Sequence, residues 1–213
     1  MKKKIGIYGG SFSPVHNGHV IAAQRFLKAF DLDCLLLMPV CIPPHKSALC
    51  EDSPGQRLDM LRLAVEDLPE YQSSVFVSDY EIQKQGKSYT VDTLEHFSND
   101  DTALYLLCGT DMFFSLESWK NPARIFSLAT IVCARRYDKD SIDEIRKYQQ
   151  HYQRKYGAHI ALLPGDPYPI SSTEIRHLCR AREDIGQYVP EKVKNYIIVN
   201  NLYIGNSKKT DTM

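Results

Sequence analysis

Gly9-Gly10-Ser11-Phe12-Ser13-Pro14-Val15-His16-Asn17-Gly18-His19 joins the apolar run Ile5-Gly6-Ile7-Tyr8 to a helical pattern of apolar residues at Val20, Ile21, Ala23, Phe26, Leu27 and Phe30. A strand, a glycine turn and a helix start thus fall within about twenty residues, an arrangement by which α/β proteins grip phosphate groups. Backbone N–H groups of the turn and the imidazoles of His16 and His19 would converge on one anion. A plain turn with two solvated histidines would also carry a Gly-Gly pair, and short glycine motifs match by chance often. The whole string argues for a nucleotide site instead. It lacks the lysine of a P-loop, which removes the NTPase reading.

Outward from this stretch, short apolar runs alternate with amphipathic ones. Strands are expected at 4–8, 34–39, 75–78, 103–108, 130–134 and 159–163, and helices at 18–30, 55–67, 90–98, 111–118, 141–155, 172–182 and 190–198. Such alternation predicts an α/β fold, a parallel sheet covered on both faces, with ligands beyond the carboxyl ends of the strands. The motifs below all fall at those ends. With 213 residues, the chain reads as a single domain over 1–205, with a C-terminal helical portion from about residue 171. The polar stretch 206–213 is expected to be a disordered tail.

Lys+Arg and Asp+Glu both number 26, so the formal net charge is zero. That balance excludes bulk nucleic acid or an anionic membrane surface as main partner. The cysteines at 34, 41, 50, 108, 133 and 179 show no CxxC spacing, and Cys34, Cys108 and Cys133 lie in apolar runs that read as buried thiols. The apolar run after the N-terminal lysines is too short for a signal-peptide core, and no run reaches membrane-spanning length. A cytoplasmic protein is expected.

Four further segments bear chemistry. Ile170-Ser171-Ser172-Thr173-Glu174-Ile175-Arg176 follows a Pro/Gly-rich loop, and Ser171 with Glu174 has capping-box spacing. A capped helix start still offers N–H groups to an anion, and Arg176 adds a cation one turn on. Pro43-Pro44-His45-Lys46 is a stiff loop after the second strand, which alone would be an ordinary proline loop with exposed charges. Ser88-Tyr89-Thr90-Val91-Asp92-Thr93-Leu94 alone would be a helix start. Gly109-Thr110-Asp111 precedes Trp119, the one tryptophan of the chain; a single tryptophan is more often core than ligand platform. Arg57 reads as the solvated face of helix 55–67. The closing residues Tyr188-Val189-Pro190, Tyr196-Ile197 and Leu202-Tyr203 read as a packing helix and its exit.

The first string resembles the GSFxPxHxGH signature of the nucleotidyltransferase superfamily, whose HxGH element is shared with class I aminoacyl-tRNA synthetases. The segment 170–176 resembles the superfamily's ISSTxIR motif. The PxHK, SYTxDTL and GxD…W segments, together with the closing residues, resemble nicotinate mononucleotide adenylyltransferases, so the likeness runs from Lys4 to Tyr203. One departure stands after the fifth strand, where the family commonly has Arg-Pro and this chain has Arg136-Tyr137-Asp138.

The resemblance implies a Rossmann-like fold and transfer of AMP from ATP to nicotinate mononucleotide, giving deamido-NAD and pyrophosphate. It implies His16, His19 and Arg176 as catalytic residues. ATP would contact Gly9, Gly10, Ser11, Phe12, His16, Gly18, His19, Gly109, Asp111, Arg136, Ser172, Thr173 and Arg176. The mononucleotide would contact Ser11, His45, Lys46, Tyr89, Thr90, Asp111 and Trp119, the last by stacking on the pyridine ring. Mg²⁺ is expected to arrive with ATP, with no tightly bound cofactor and no metal held by the protein alone. The partners are then small molecules, with no nucleic acid and no membrane, and a homo-oligomer is left open. Alternatives are nicotinamide mononucleotide or phosphopantetheine as acceptor, or a nucleotide-sensing module with a dead site.

Overall fold

The computed structural model describes residues 2–43, 51–68, 71, 73–137 and 140–205. Six strands form one parallel sheet: β1 (Lys3–Gly10), β2 (Cys34–Pro39), β3 (Val75–Val77), β4 (Thr102–Gly109), β5 (Ala129–Ala134) and β6 (Ile160–Leu162), in the order β3-β2-β1-β4-β5-β6. Every expected strand is present, and the parallel pairing agrees with the strand–helix alternation. β1 and β4 lie side by side at the centre, in register from Lys3 opposite Thr102 to Tyr8 opposite Leu107. The chain leaves β1 toward one edge of the sheet and later leaves β4 toward the other. Between the diverging loops beyond their carboxyl ends lies the crevice where open α/β sheets bind ligands.

Helices cover both faces. On one side, Phe26, Leu35, Met60, Leu61, Ile175, Val193 and Ile197 form a core among α1 (Asn17–Ala29), α2 (Pro54–Glu66), α8 (Ser172–Ala181) and α9 (Glu191–Val199). On the other, Ile7, Leu94, Leu106, Phe113, Ile125, Ile131 and Tyr152 form a second core with α4 (Thr90–Phe97), α5 (Thr110–Phe114), α6 (Pro122–Leu128) and α7 (Ile142–Tyr156). α3 (Tyr80–Lys84) is a single turn and a half that leads toward α4.

Local chemistry sets the helix ends. Ser53 and Gln56 make a capping box ahead of Pro54, and Ser171 and Glu174 make another ahead of Ser172. α7 starts on the Ser141 side chain, carries Asp143 and Glu144 in its first turn and Arg154 and Lys155 in its last, and stops at Gly157 with φ 65°.

Three expectations need correction. The expected helix 111–118 is two pieces, α5 and a 3₁₀ turn over Leu116–Ser118. The short helices α3 and α6 were not expected; α6 starts on Pro122 at its first turn, after Asn121 in the left-handed region. Cys108 and Cys133 are buried thiols, whereas Cys34 is only half-buried. The expected tail 206–213 and the loop residues Pro44, His45 and Lys46 lie outside the described residues.

Candidate active site

β1 delivers the Gly9–His19 turn to the crevice, and the helix α1 begins inside the motif. His16 is the N-cap residue of α1, with extended backbone, and is 5 % exposed. Its backbone N–H donates to His19 Nδ1 at 3.2 Å, and the two imidazoles stack with centroids 3.7 Å apart. Because His19 Nδ1 accepts, a neutral His19 ring carries its proton on Nε2. A Cβ on Gly18 would stand 3.0 Å from the His16 ring, so the glycine makes room for the stacked pair. Burial, and then the charge of Arg136, hold His16 down to about 3. His16 is therefore neutral near pH 7 and offers a hydrogen bond rather than a full charge. Its Nδ1 is buried with no partner among the described residues, an orphan polar atom of the kind native interiors avoid unless a ligand or water meets it.

The N-terminus of α8 comes to the same turn. Ser172 Oγ donates to the carbonyl of Pro14 at 2.9 Å, and Arg176 Nη1 donates to the carbonyl of Ser13 at 2.6 Å. Arg176 also reaches Thr173 Oγ1 at 3.2 Å and lies 3.5 Å from Glu51. The two motifs, separated by more than 150 residues of chain, are joined by direct hydrogen bonds.

Across the crevice, Gly109 ends β4 and Asp111 pairs with the guanidinium of Arg136, which follows β5. A Cβ on Gly109 would meet Asp111 Oδ1 at 3.0 Å. The loop that departs from the family's Arg-Pro pattern is held by Asp140. Its Oδ2 accepts from the N–H groups of Arg136 at 2.8 Å and Tyr137 at 3.0 Å, and from the Thr110 hydroxyl. Partial burial of Asp140 opposes its ionisation, but these three donors outweigh it and keep the carboxyl below its usual range. The Asp140 carboxylate thus fixes the turn that carries Arg136.

Tyr89 is the N-cap residue of α4, and Thr90 opens the helix. The segment docks on the end of β2: Ser88 N donates to Ile42 O at 3.1 Å, and Cys41 N donates to Ser88 Oγ at 2.9 Å. Beneath it lies Glu81, buried, accepting from Thr93 Oγ1 at 2.8 Å; burial raises its carboxyl, against the pull of the Ser88 and Thr93 hydroxyls. Tyr89 and Trp119 are both partly buried against the second core. Asp92, in the first turn of α4, is tied by Lys84 and Lys120, and the Lys84 hydrogen bond leads in holding its carboxyl low.

Arg57 is the clearest miss of the sequence reading. Expected on a solvated helix face, it is 1 % exposed and hydrogen-bonds the carbonyls of Ser11, Val40 and Cys41. No sequence signal marks an arginine that folds inward, because its acceptors are backbone carbonyls. Asp52, Glu81 and Asp140 were missed because the hydroxyls that meet them, of Tyr203, Thr93 and Thr110, come from elsewhere in the sequence.

Fold and site together define a nucleotide-handling α/β protein of the nucleotidyltransferase type. Residues 7–178 match the Cytidylyltransferase-like family. A probable nicotinate-nucleotide adenylyltransferase of Clostridium beijerinckii is 38 % identical over 207 residues, covering 94 % of this chain and 99 % of the relative. Its counterpart in Clostridium acetobutylicum is 38 % identical over 208 residues, covering 96 % and 100 %. The chain belongs to the cytidylyltransferase-like family and, within it, to the nicotinate-nucleotide adenylyltransferases. Among solved structures, the nicotinic acid mononucleotide adenylyltransferase of Plasmodium falciparum complexed with APC shares the fold, with TM-score 0.74 at 19 % identity over 94 % of this chain and 97 % of that one. A second structure of the Plasmodium falciparum enzyme, complexed with NaAD, has TM-score 0.71 at 20 % identity over 94 % and 97 %.

Proposed function

We propose that this chain transfers AMP from ATP to nicotinate mononucleotide, forming deamido-NAD and pyrophosphate. The observation that carries the reading is the joining of the two phosphate motifs, Ser172 to Pro14 and Arg176 to Ser13. One anion-binding helix N-terminus is common; two closing on a single turn suit a triphosphate and a second phosphate together.

A nucleotide 5′-phosphate has a second pKa near ~6 and is mostly dianionic at neutral pH, so it attacks the α-phosphate without a general base. The bond formed joins the mononucleotide oxygen to Pα; the bond broken joins Pα to the bridging oxygen, which leaves with pyrophosphate. What the protein supplies is alignment of two polyanions and donors for the charge that builds on the phosphates. Neutral His16, and His19 through Nε2, donate hydrogen bonds at the α-phosphate. Arg176, Ser172 and Thr173 take the departing pyrophosphate, and Lys46 supports neutralisation. Mg²⁺ is part of the substrate MgATP. Gly109, Asp111 and Arg136 take the adenosine side, with the Arg136 pair free to exchange toward ribose hydroxyls. No helix among the described residues is long and apolar enough to cross a membrane.

The acid form of the mononucleotide is preferred over the amide. At the start of α4, the Thr90 and Val91 N–H groups have no partner within the helix by position, and the helix dipole favours an anion there. A carboxylate accepts from both donors. An amide turned toward them presents its NH₂ to one, leaving a buried donor unpaired at a cost of about 1–3 kcal/mol. Steady-state kinetics with the two mononucleotides should show roughly 5- to 150-fold higher kcat/KM for the acid. Equal values, or a preference for the amide, would overturn the assignment. Pyrophosphate release with neither would leave phosphopantetheine as the acceptor to try.

A further inference from the structure

The closing residues Leu202 and Tyr203 pack as the sequence predicts, but the Tyr203 hydroxyl does something packing does not require. It donates to Oδ2 of Asp52, whose side chain is wholly buried. The other carboxylate oxygen of Asp52 lies 3.3 Å from Arg57 Nε. Arg57 Nη1 then donates to Ser11 O at 3.1 Å and Val40 O at 2.6 Å, and Nη2 donates to Cys41 O at 3.2 Å. A buried line of polar groups therefore runs from the turn after α9 to the phosphate turn, and fastens that turn to the end of β2.

The same end of the chain touches the phosphate turn again. Asn17 N donates to Tyr188 O at 2.8 Å and Asn17 Nδ2 to Gln187 O at 3.1 Å. Burying a guanidinium among neutral carbonyls is costly unless a counter-charge is present, and Asp52 supplies it. Apolar residues of similar volume would hold the core at least as well, so a buried pair here calls for a role in geometry. Three carbonyls from two strand ends, gripped by one planar group, fix the separation of the two turns.

We propose that Arg57, Asp52 and Tyr203 are positioning residues for adenylyl transfer: they set the phosphate turn at Ser11 against the end of β2, so that the attacking phosphate and the α-phosphate meet in line. None of the three touches the reacting atoms. In its kinetic readout the proposal rests on the adenylyltransferase reading above; its structural readout does not.

The molecule contains its own control. Tyr196 in α9 donates to Asp59 Oδ2 in α2 at 3.2 Å, a hydroxyl–carboxylate bond in the same α2–C-terminal seam that does not lead to the phosphate turn. Wild type, Tyr203→Phe, Tyr196→Phe and Arg57→Lys are compared by kcat and KM at saturating co-substrate, by thermal melting, and by hydrogen–deuterium exchange of peptides covering residues 9–19. Tyr203→Phe should lower kcat roughly tenfold, the worth of one buried charge-assisted bond. It should also speed exchange in 9–19 and leave the ATP KM within about twofold. Arg57→Lys should do more of the same, since an ammonium cannot span three carbonyls. Tyr196→Phe should leave kcat and exchange at wild-type values. Wild-type kcat and exchange in Tyr203→Phe would overturn the proposal, as would equal losses in both tyrosine variants. If the wild-type protein formed no dinucleotide, the adenylyltransferase reading would fall separately, and the exchange comparison would still decide this one.

Discussion

The two halves of the crevice are built differently. Around the phosphate turn, His16 is buried, Arg57 is buried beneath, and Ser172 and Arg176 bond backbone carbonyls of the turn itself. Around Tyr89 and Trp119, Glu81 is buried with Thr93, but the ion pairs lie at the surface: Asp92 with Lys84 and Lys120, and Lys120 over the Tyr89 ring at 4.5 Å. The pair that faces the crevice from β4 and β5, Asp111 with Arg136, is also about half-exposed, at 44 % and 43 %. The phosphate half spends a buried ion pair, Asp52 with Arg57, on fixed geometry, whereas the pyridine half keeps its ion pairs at the surface. Charge development at phosphorus rewards donors that need no reorganisation. Recognition of a flat ring needs area and a few donors, which a half-exposed wall supplies.

That contrast is broken most directly at the histidines. His16→Ala and His19→Ala should each lower kcat by about 10²–10³-fold, or ~2.7–4 kcal/mol, as loss of one preorganised oxyanion donor does. ATP affinity should change far less, because the donors matter most as charge shifts to the bridging oxygen. Turnover near wild type in either folded variant, measured by pyrophosphate release, would show the phosphate half to be less committed than its burial implies.

Arg176→Lys comes next. The guanidinium already spans Ser13 O and Thr173 Oγ1, and an ammonium keeps the charge but loses the fork. A drop of about tenfold in kcat/KM is expected, on the scale of one charged hydrogen bond. An unchanged value would reduce Arg176 to a strut between α8 and the turn.

Much of this was legible in the sequence because the features are local. The strand, turn and helix around Gly9–His19 follow from apolar periodicity and glycine placement, and Ser171 and Glu174 declare their own helix start. All six strands were readable from short β-prone runs. The helices α3 and α6 were not, since five and seven residues carry too little periodicity; Pro122 was the one signal for α6. Arg57 was misread because helical phase tells which face a residue occupies, not which carbonyls converge beneath that face. The Arg-Pro pair is absent, and the hold on the Arg136 turn, Asp140 accepting from Arg136, Tyr137 and also Thr110 thirty residues away, has no local sequence signal. Of the expected mononucleotide contacts, His45 and Lys46 lie outside the described residues, so the structure adds geometry only for Ser11, Tyr89, Thr90, Asp111 and Trp119.

On the pyridine half, Trp119→Ala should raise KM for the mononucleotide several-fold, about 1 kcal/mol for one aromatic contact, and leave ATP binding nearly intact. Isothermal titration with each substrate separates the two effects. Equal weakening of both ligands would mean that Trp119 props the second core, where it is packed, instead of meeting the ring.

The last effect lies in stability, and it separates the halves by pH. His16 has its folded pKa lowered to about 3 by burial and by Arg136, against about 6.5 when unfolded. Above the unfolded value both states hold this ring neutral, and the folded state keeps its full advantage. As pH falls below 6.5 the unfolded chain gains a proton that the folded chain refuses until about pH 3. Stability is lost across that window with a slope of at most about 1.4 kcal/mol per pH unit from this group. Asp92 has its folded pKa depressed chiefly by its Lys84 bond, so its contribution is present above the unfolded carboxylate value and fades only below it. Being partly exposed, that pair is worth under about 1 kcal/mol. In urea titrations from pH 7 to pH 5, His16→Gln should therefore lose less stability than wild type as the pH falls, whereas Asp92→Asn should follow wild type. If both variants kept the wild-type slope, the buried neutral histidine would not be the group that the phosphate half holds at a cost.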